Sequence, residues 1–450
     1  MKTFALLCVV FTAGCAHVPE CTAHGGPVWN ELKSEHFVMR SDADEHVAKN
    51  TVLELERIHS ALQLFFTASP TVPLDVLLFR NARELGALMP SLGEEVESAY
   101  AFSVRGERLL LSGEGFLADE HVQHRAMVRE LTHRFSAWSH WLNPWWLAEG
   151  LGAYLEGATI DPALDTVLFG GASRDFVQAL SMWGLLPLEE LWANKPSIGP
   201  RATLHRYASA WLWVHFFFNA EGAAFRRFLG ELQTGVPARE AFSRQFSHLT
   251  VEQLEAKARE YVRVGDFETE FLVTPPPSKD VKTAVLPPAS VHAVLASVVS
   301  QRDEVSRQIS LGREVDASNA DLLAERIWAS NPTATEFPSL VELMTSQHPE
   351  DARGWYFASF VGEADPALER ALTLDPTMWQ ALSSRALLRG DLELAQQAVR
   401  IAPWSQRAVW VLSAVLARRG DCVRAALQYR VAKAIPDARE LPAEEPCTQR

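Results

Sequence analysis

The sequence predicts an α+β domain followed by an all-α helical-repeat domain. Three observations carry that prediction. Strand-like alternation is confined to a few short early segments and gives way to a long run of helical patterns. A proline-rich stretch, Thr274-Pro275-Pro276-Pro277-Ser278-Lys279 with Pro287-Pro288, then reads as a semi-rigid linker. Beyond it the chain is rich in Ala, Leu and Arg, almost free of strand patterns, and repeats itself about every 30 residues.

In the first domain, Ser34–Arg40, Val72–Phe79 and Arg108–Ser112 read as strands. Asp44–Phe66 has helical spacing through Val47, Val52, Leu55, Ile58 and Leu62. Helical patterns follow at His121–Trp138, Pro144–Glu156, Ser173–Met182, Tyr207–Ala220, Ala223–Gln233, Pro237–Phe246 and Val251–Val264. The expected division is a leader at 1–14, a tether at 15–27, the α+β domain at 28–270, the linker at 271–289, repeats at 290–440 and a tail at 441–450.

In the repeats, Trp379, Leu382, Ala386, Ala395, Val399 and Ala402 stand at spacings that Val409, Leu412, Ser413, Leu416, Ala425, Tyr429, Ala432 and Pro436 take up again. Gly390-Asp391 and Gly420-Asp421 fall at the hairpin turns, and a shorter unit spans Trp355–Pro376. The pattern resembles tetratricopeptide repeats, in which small residues let antiparallel helices pack closely and stacking buries the seam. Residues 290–350 read as helical without a register.

Composition excludes several classes. At 450 residues and 48% hydrophobic the chain has room for two or three cores, and 22% charged residues exclude a disordered polymer. Lys+Arg 42 against Asp+Glu 56 leaves a formal charge of −14, which argues against nucleic acid as a partner. Five cysteines are too few for a disulfide-built scaffold. No apolar run reaches the roughly 18 residues of a spanning helix. The densest, Ala208–Phe218, contains His215 and reads as a buried core helix.

The first residues, MKTFALLCVVFTAGC, combine Lys2, a short apolar stretch and small residues before a cysteine. This is the form of a secretory signal. The Thr-Ala-Gly-Cys ending resembles a bacterial lipobox, with Thr12 where leucine is usual. The resemblance implies that Cys15 becomes the lipidated first mature residue, and Ala16 after it favours the outer membrane, facing the periplasm. Export means an oxidising compartment. Cys8 falls in the leader, so Cys422 and Cys447 are the expected disulfide on sequence proximity, with Cys21 left over in the tether.

The sharpest motif is Val128-Arg129-Glu130-Leu131-Thr132-His133, followed by Pro144-Trp145-Trp146-Leu147-Ala148-Glu149-Gly150-Leu151-Gly152-Ala153-Tyr154-Leu155-Glu156. With Tyr207-Ala208-Ser209-Ala210-Trp211 and the early Ser34-Glu35-His36-Phe37, it resembles the peptidase-MA-like family of gluzincins over residues 29–264. The resemblance implies a small sheet with a thermolysin-like helical core. In such zinc peptidases two histidines at i and i+4 share one helix face, and the glutamate after the first activates the zinc-bound water. A glutamate on the next helix completes the ligands. Carried over, Glu130 matches the base, His133 the second ligand and Glu149 the third, and Tyr207 resembles an oxyanion donor or is a buried core tyrosine.

Arg129 stands where the first histidine belongs. A guanidinium has five donors and no lone pair, so it cannot bind a metal. His124 lies five residues earlier, about 7 Å along a helix, and His121 further still, so neither substitutes. Arg129 is therefore expected to replace the zinc ion by pairing with Glu149, Glu130 or both. Trp138, Trp141, Trp145 and Trp146 are expected to pack the motif helices together, with His205 and His215 structural.

This implies a lipid-anchored pseudopeptidase of the bacterial envelope, without cofactor, that binds a peptide or protein through its cleft and repeats and is tied to the membrane at Cys15. The alternative is an active zinc-dependent periplasmic metallopeptidase with Glu130 as general base. A purely structural envelope protein is the third reading.

Overall fold

The computed structural model describes residues 18–66, 71–89, 101–104, 108–113, 120–139, 144–161, 163–194, 198–233, 236–265, 267, 269–299, 301–435 and 447. The leader, Cys15 and nearly all of the tail lie outside them. The chain is a mixed α/β unit followed by helices, and no helix among the described residues is long and apolar enough to cross a membrane.

The centre of the first unit is a six-stranded sheet. Its strands are β1 (Asn30–Lys33), β2 (Phe37–Ser41), β3 (Leu74–Phe79), β4 (Ala101–Val104), β5 (Arg108–Ser112) and β9 (Lys282–Val285), in the order β4-β5-β3-β2-β1-β9. β2, β3 and β5 run parallel, whereas β4, β1 and β9 are antiparallel to their neighbours. Parallel strands need covered faces, and the side chains alternate accordingly. Val76, Leu78, Leu109 and Leu111 enter one core with α1 (Glu45–Phe65) and α3 (Glu120–Ser139). Leu77, Phe79 and Leu110 enter a second core with α2 (Ala82–Leu88) and α11 (Pro288–Val298). Asp44 starts α1 by accepting a hydrogen bond from the His46 amide.

The helical part of the unit comprises α4 (Trp145–Glu156), α5 (Arg174–Trp183), α6 (Leu188–Trp192), α7 (Pro200–Ala220), α8 (Gly222–Gln233), α9 (Ala238–Gln245) and α10 (Val251–Val264). A second sheet joins β6 (Thr159–Asp161), β7 (Thr166–Phe169) and β8 (Glu270–Val273), all antiparallel. α7 begins seven residues before the expected Tyr207, because Gly199 at φ 88° turns the chain and Pro200 is pre-set for the first helical turn. Ala208–Phe217 on α7 are buried, so the dense apolar run is indeed a core helix.

Close approach of α4 and α7 depends on Gly150. A Cβ there would lie 2.5 Å from the Ala210 carbonyl oxygen and 2.6 Å from Val214 Cγ2. Gly150→Ala is therefore expected to lower stability by about 2 kcal/mol, the overpacking outweighing a helix-propensity gain of about 1 kcal/mol. Urea unfolding of the variant checks this, and a stabilised variant would mean that the helices separate easily.

Two expected boundaries are corrected. The stretch 271–289, expected as a semi-rigid linker between domains, is part of the first unit: it ends β8, and Lys282–Val285 pair with Asn30–Lys33 as the sheet's edge strand. Prolines on either side disguise a strand whose four residues are all exposed and show no alternation. The tether expected at 15–27 is docked from residue 18, because Val18 and Cys21 join the second core and Trp29 is buried beside them.

After α11 come α12 (Arg302–Asp316), α13 (Ala320–Ala329), α14 (Phe337–Gln347), α15 (Ala352–Ala358), α16 (Ala364–Leu374), α17 (Trp379–Arg389), α18 (Leu392–Ile401), α19 (Gln406–Arg418) and α20 (Cys422–Ala434). Gly390 and Gly420 take positive φ of 68° and 81° at the hairpin turns, and Asp391 and Asp421 cap the helices that follow. Ala386, Ala395, Ala398, Ala402, Ala408, Ala425 and Ala432 are fully buried along the seams. Cys422 and Cys447 form a disulfide with their Cα atoms 5.7 Å apart. The helices fold back on the first unit, where Val72 packs among Leu382, Ala398 and Ile401 and the Arg134 guanidinium lies 4.4 Å from the Trp404 ring centre.

Candidate functional site

α3 carries Arg125, Arg129 and His133 at four-residue spacing, so the three share a stripe. α4 runs beside it and faces that stripe with Glu149 and, two turns on, Glu156. Gly152 lies between them, where a Cβ would stand 3.4 Å, an ordinary contact distance, from Arg129 Cγ and from His133 Cε1 and Nε2.

The Arg129 guanidinium donates through Nη2 to Glu149 Oε2 at 2.5 Å, and its Nη1 lies 3.9 Å from Glu156 Oε2. Arg125 donates to the other Glu156 oxygen at 2.7 Å. His133 Nε2 stands 3.8 Å from the same Glu149 oxygen that Arg129 engages. Tyr207 on α7 closes the group, its ring centre 4.7 Å from the Arg129 guanidinium carbon. Its ring meets Trp145 edge-on at 5.4 Å, and Arg206 lies 4.0 Å from the centre of the Trp145 ring.

Burial opposes the charge of Arg129, but Glu149 and Glu156 outweigh it and hold the guanidinium above its ordinary pKa. Burial raises the Tyr207 phenol, Glu149 adds to the rise, and Arg129 opposes it. Two arginines thus meet two glutamates, with His133 at the edge. Glu130, the expected base, is half-buried one residue beyond Arg129 and forms no ion pair among the described residues.

These residues do not fit a catalytic zinc. Such an ion takes three protein ligands and leaves one position open. Here His133 and Glu149 offer two, no third joins them among the described residues, and a fixed cation is bonded to the glutamate oxygen that would bind. His124 is turned away, paired with Glu54 at 2.7 Å and 3.2 Å from the Ala158 carbonyl oxygen.

The structure brings Arg129, His133, Glu149 and Tyr207 together. Tyr207 is half-buried beside the arginine rather than sealed in the core. Trp146 is fully buried against Trp192 and Phe217, whereas Trp141 and the Trp138 side chain lie outside the described residues. His205 bonds the Gly184 carbonyl at 2.7 Å and His215 that of Gly170 at 3.0 Å. Glu156 and Arg125 are partners that the zinc motif does not contain; their signal is spacing, seven residues after Glu149 and four before Arg129.

No protein-family model matches this chain, and no curated protein matches it significantly.

Proposed function

We propose that this chain is an exported lipoprotein with a gluzincin-like first unit that has lost zinc and catalysis, and that it serves as a peptide- or protein-binding scaffold. The observation that carries the reading is the 2.5 Å bond from Arg129 to Glu149, made by the residue at the first-ligand position to the residue at the third. The arginine supplies a fixed positive charge beside Glu149 without offering a ligand or an open position for water. Hydrolysis by metal-activated water then has no place in the cleft.

The helical hairpins support the binding half of the reading. Their buried alanines and turn glycines follow the tetratricopeptide-like pattern, and stacked hairpins expose extended helix faces. Trp328 and Phe360, each nearly half exposed beside Tyr356 and Phe357, offer a partner chain an apolar surface. Cys15 is the proposed point of attachment to the outer membrane, with the protein facing the periplasm.

Casein hydrolysis by the purified chain supplied with zinc tests the reading. The expected result is no turnover above buffer, with or without Glu130→Gln. Hydrolysis by the wild type that Glu130→Gln abolishes would instead establish an active metallopeptidase with Glu130 as base.

A further inference from the structure

A cluster of side chains with metal-ligand chemistry lies where the N-terminal segment docks on α11, apart from the arginine cluster. Cys21, His24 and His292 bring one sulfur and two ring nitrogens within 4.8 Å of one another. His24 Nδ1 is 3.5 Å from Cys21 Sγ and 3.0 Å from His292 Nε2. Cys21 and His292 are fully buried and His24 half-buried.

The backbone presets two of the three. Thr22–His24 form a single 3₁₀ turn, in which residues three apart eclipse, so Cys21 and His24 project to the same side. The His24 and Gly26 amides both donate to the Cys21 carbonyl, at 3.0 and 2.9 Å. Only glycine fits at position 26, where a Cβ would fall 1.9 Å from the Glu20 carbonyl oxygen. Gly25 takes a positive φ of 84°. The loop is thus fixed by its own geometry.

The third group is oriented from behind. Gln308, fully buried, places Oε1 2.6 Å from His292 Nδ1, and its amide nitrogen donates to Glu304 at 2.8 Å. That second bond assigns the amide oxygen to the histidine. His292 therefore donates from Nδ1 and carries its lone pair on Nε2, toward His24. A buried partner that fixes the tautomer of an imidazole is the usual outer support of a metal ligand.

We propose that Cys21, His24 and His292 form a binding site for a zinc-class divalent ion, clasping the N-terminal segment to α11. Sulfur with imidazole is a ligand set that favours zinc. Around a tetrahedral zinc two imidazole nitrogens stand about 3.3 Å apart, and sulfur and nitrogen about 3.6 Å. The 3.0 and 3.5 Å separations approach those values. On binding, Cys21 loses its thiol proton to solvent, and His24 presents the Nδ1 lone pair with its proton on Nε2. Three ligands leave one position for water on the half-buried side of His24.

The test uses the purified full chain with Zn²⁺, and Co²⁺ as the spectroscopic probe. One equivalent of zinc is expected to survive gel filtration, and cobalt is expected to give a thiolate-to-metal charge-transfer band that Cys21→Ser abolishes. His24→Ala, at a half-buried position that spares the packing, is expected to weaken cobalt binding about 100-fold, and Gln308→Leu about 10-fold or more. Glu149→Ala is expected to leave the band intact, which separates this site from the arginine cluster. A wild-type chain without the band, or a band unchanged in Cys21→Ser, overturns the proposal.

Discussion

An Arg129→Met chain is expected to unfold about 2 kcal/mol more easily than the wild type. Methionine keeps most of the stem's packing but leaves the Glu149 carboxylate without its guanidinium partner. Breaking a fully buried pair costs about 3–5 kcal/mol. The side chains of Arg129 and Glu149 retain 28% and 18% exposure, so water recovers part of that cost. Adding Glu149→Gln is expected to restore much of the loss, with a coupling of about 1–2 kcal/mol in the double-mutant cycle. Arg129→Lys is expected to rescue little, because an ammonium has no planar fork to span both glutamates. Urea unfolding of the wild type, Arg129→Met, Glu149→Gln and the double variant measures the coupling, and simple additivity would mean that the contact is idle.

Acid is expected to destabilise the first unit through His59. This residue sits on α1, is 2% exposed, and stacks on His36 with ring centres 3.7 Å apart. Neither of its ring nitrogens has a hydrogen-bond partner among the described residues. Burial, with the neighbouring His36 charge, pushes its pKa down to about 3, against a weaker pull from Glu56. The unfolded chain protonates this histidine near pH 6.5, so between there and about 3 the unfolded state holds more protons. Stability therefore falls as pH drops through that window, by at most about 1.4 kcal/mol per pH unit from this group. His59→Phe removes the titration while keeping an aromatic ring against Phe135. Between pH 6.5 and 5 its stability is expected to fall by about 2 kcal/mol less than the wild type's. Equal slopes in the two chains would show that His59 does not carry the effect.

Much of the local structure was legible because it rests on periodicity. Arg108–Ser112 is a strand at its expected bounds, and Val251–Val264 a helix at its own. Three other kinds of feature were not legible. Lys282–Val285 is an edge strand whose stability comes from pairing with β1, so no inward face marks it. The start of α7 was marked by Gly199-Pro200, but the apolar run further on drew the boundary to itself. Docking of residues 18–27 depends on α11, far along the chain.

The same distinction separates the two sites. Arg129, His133, Glu149 and Tyr207 belong to motifs whose spacing expresses helix geometry, so their meeting was readable. Glu156 lies on the Glu149 face at a spacing of seven, yet the zinc motif has no role for it. Cys21 and His24 announce a shared side of a turn, but His292 is 268 residues from His24 and only the fold unites them.

Zinc titration calorimetry in a Cys21→Ser, His24→Ala background tests the central claim most directly, because it removes the second site from the count. With Arg129 in place, no zinc is expected to bind. With Arg129→His, one equivalent is expected, and Glu149→Ala is expected to abolish it. Stoichiometric zinc on the Arg129 chain, lost in Glu149→Ala, would contradict the claim that the arginine occupies the metal's place.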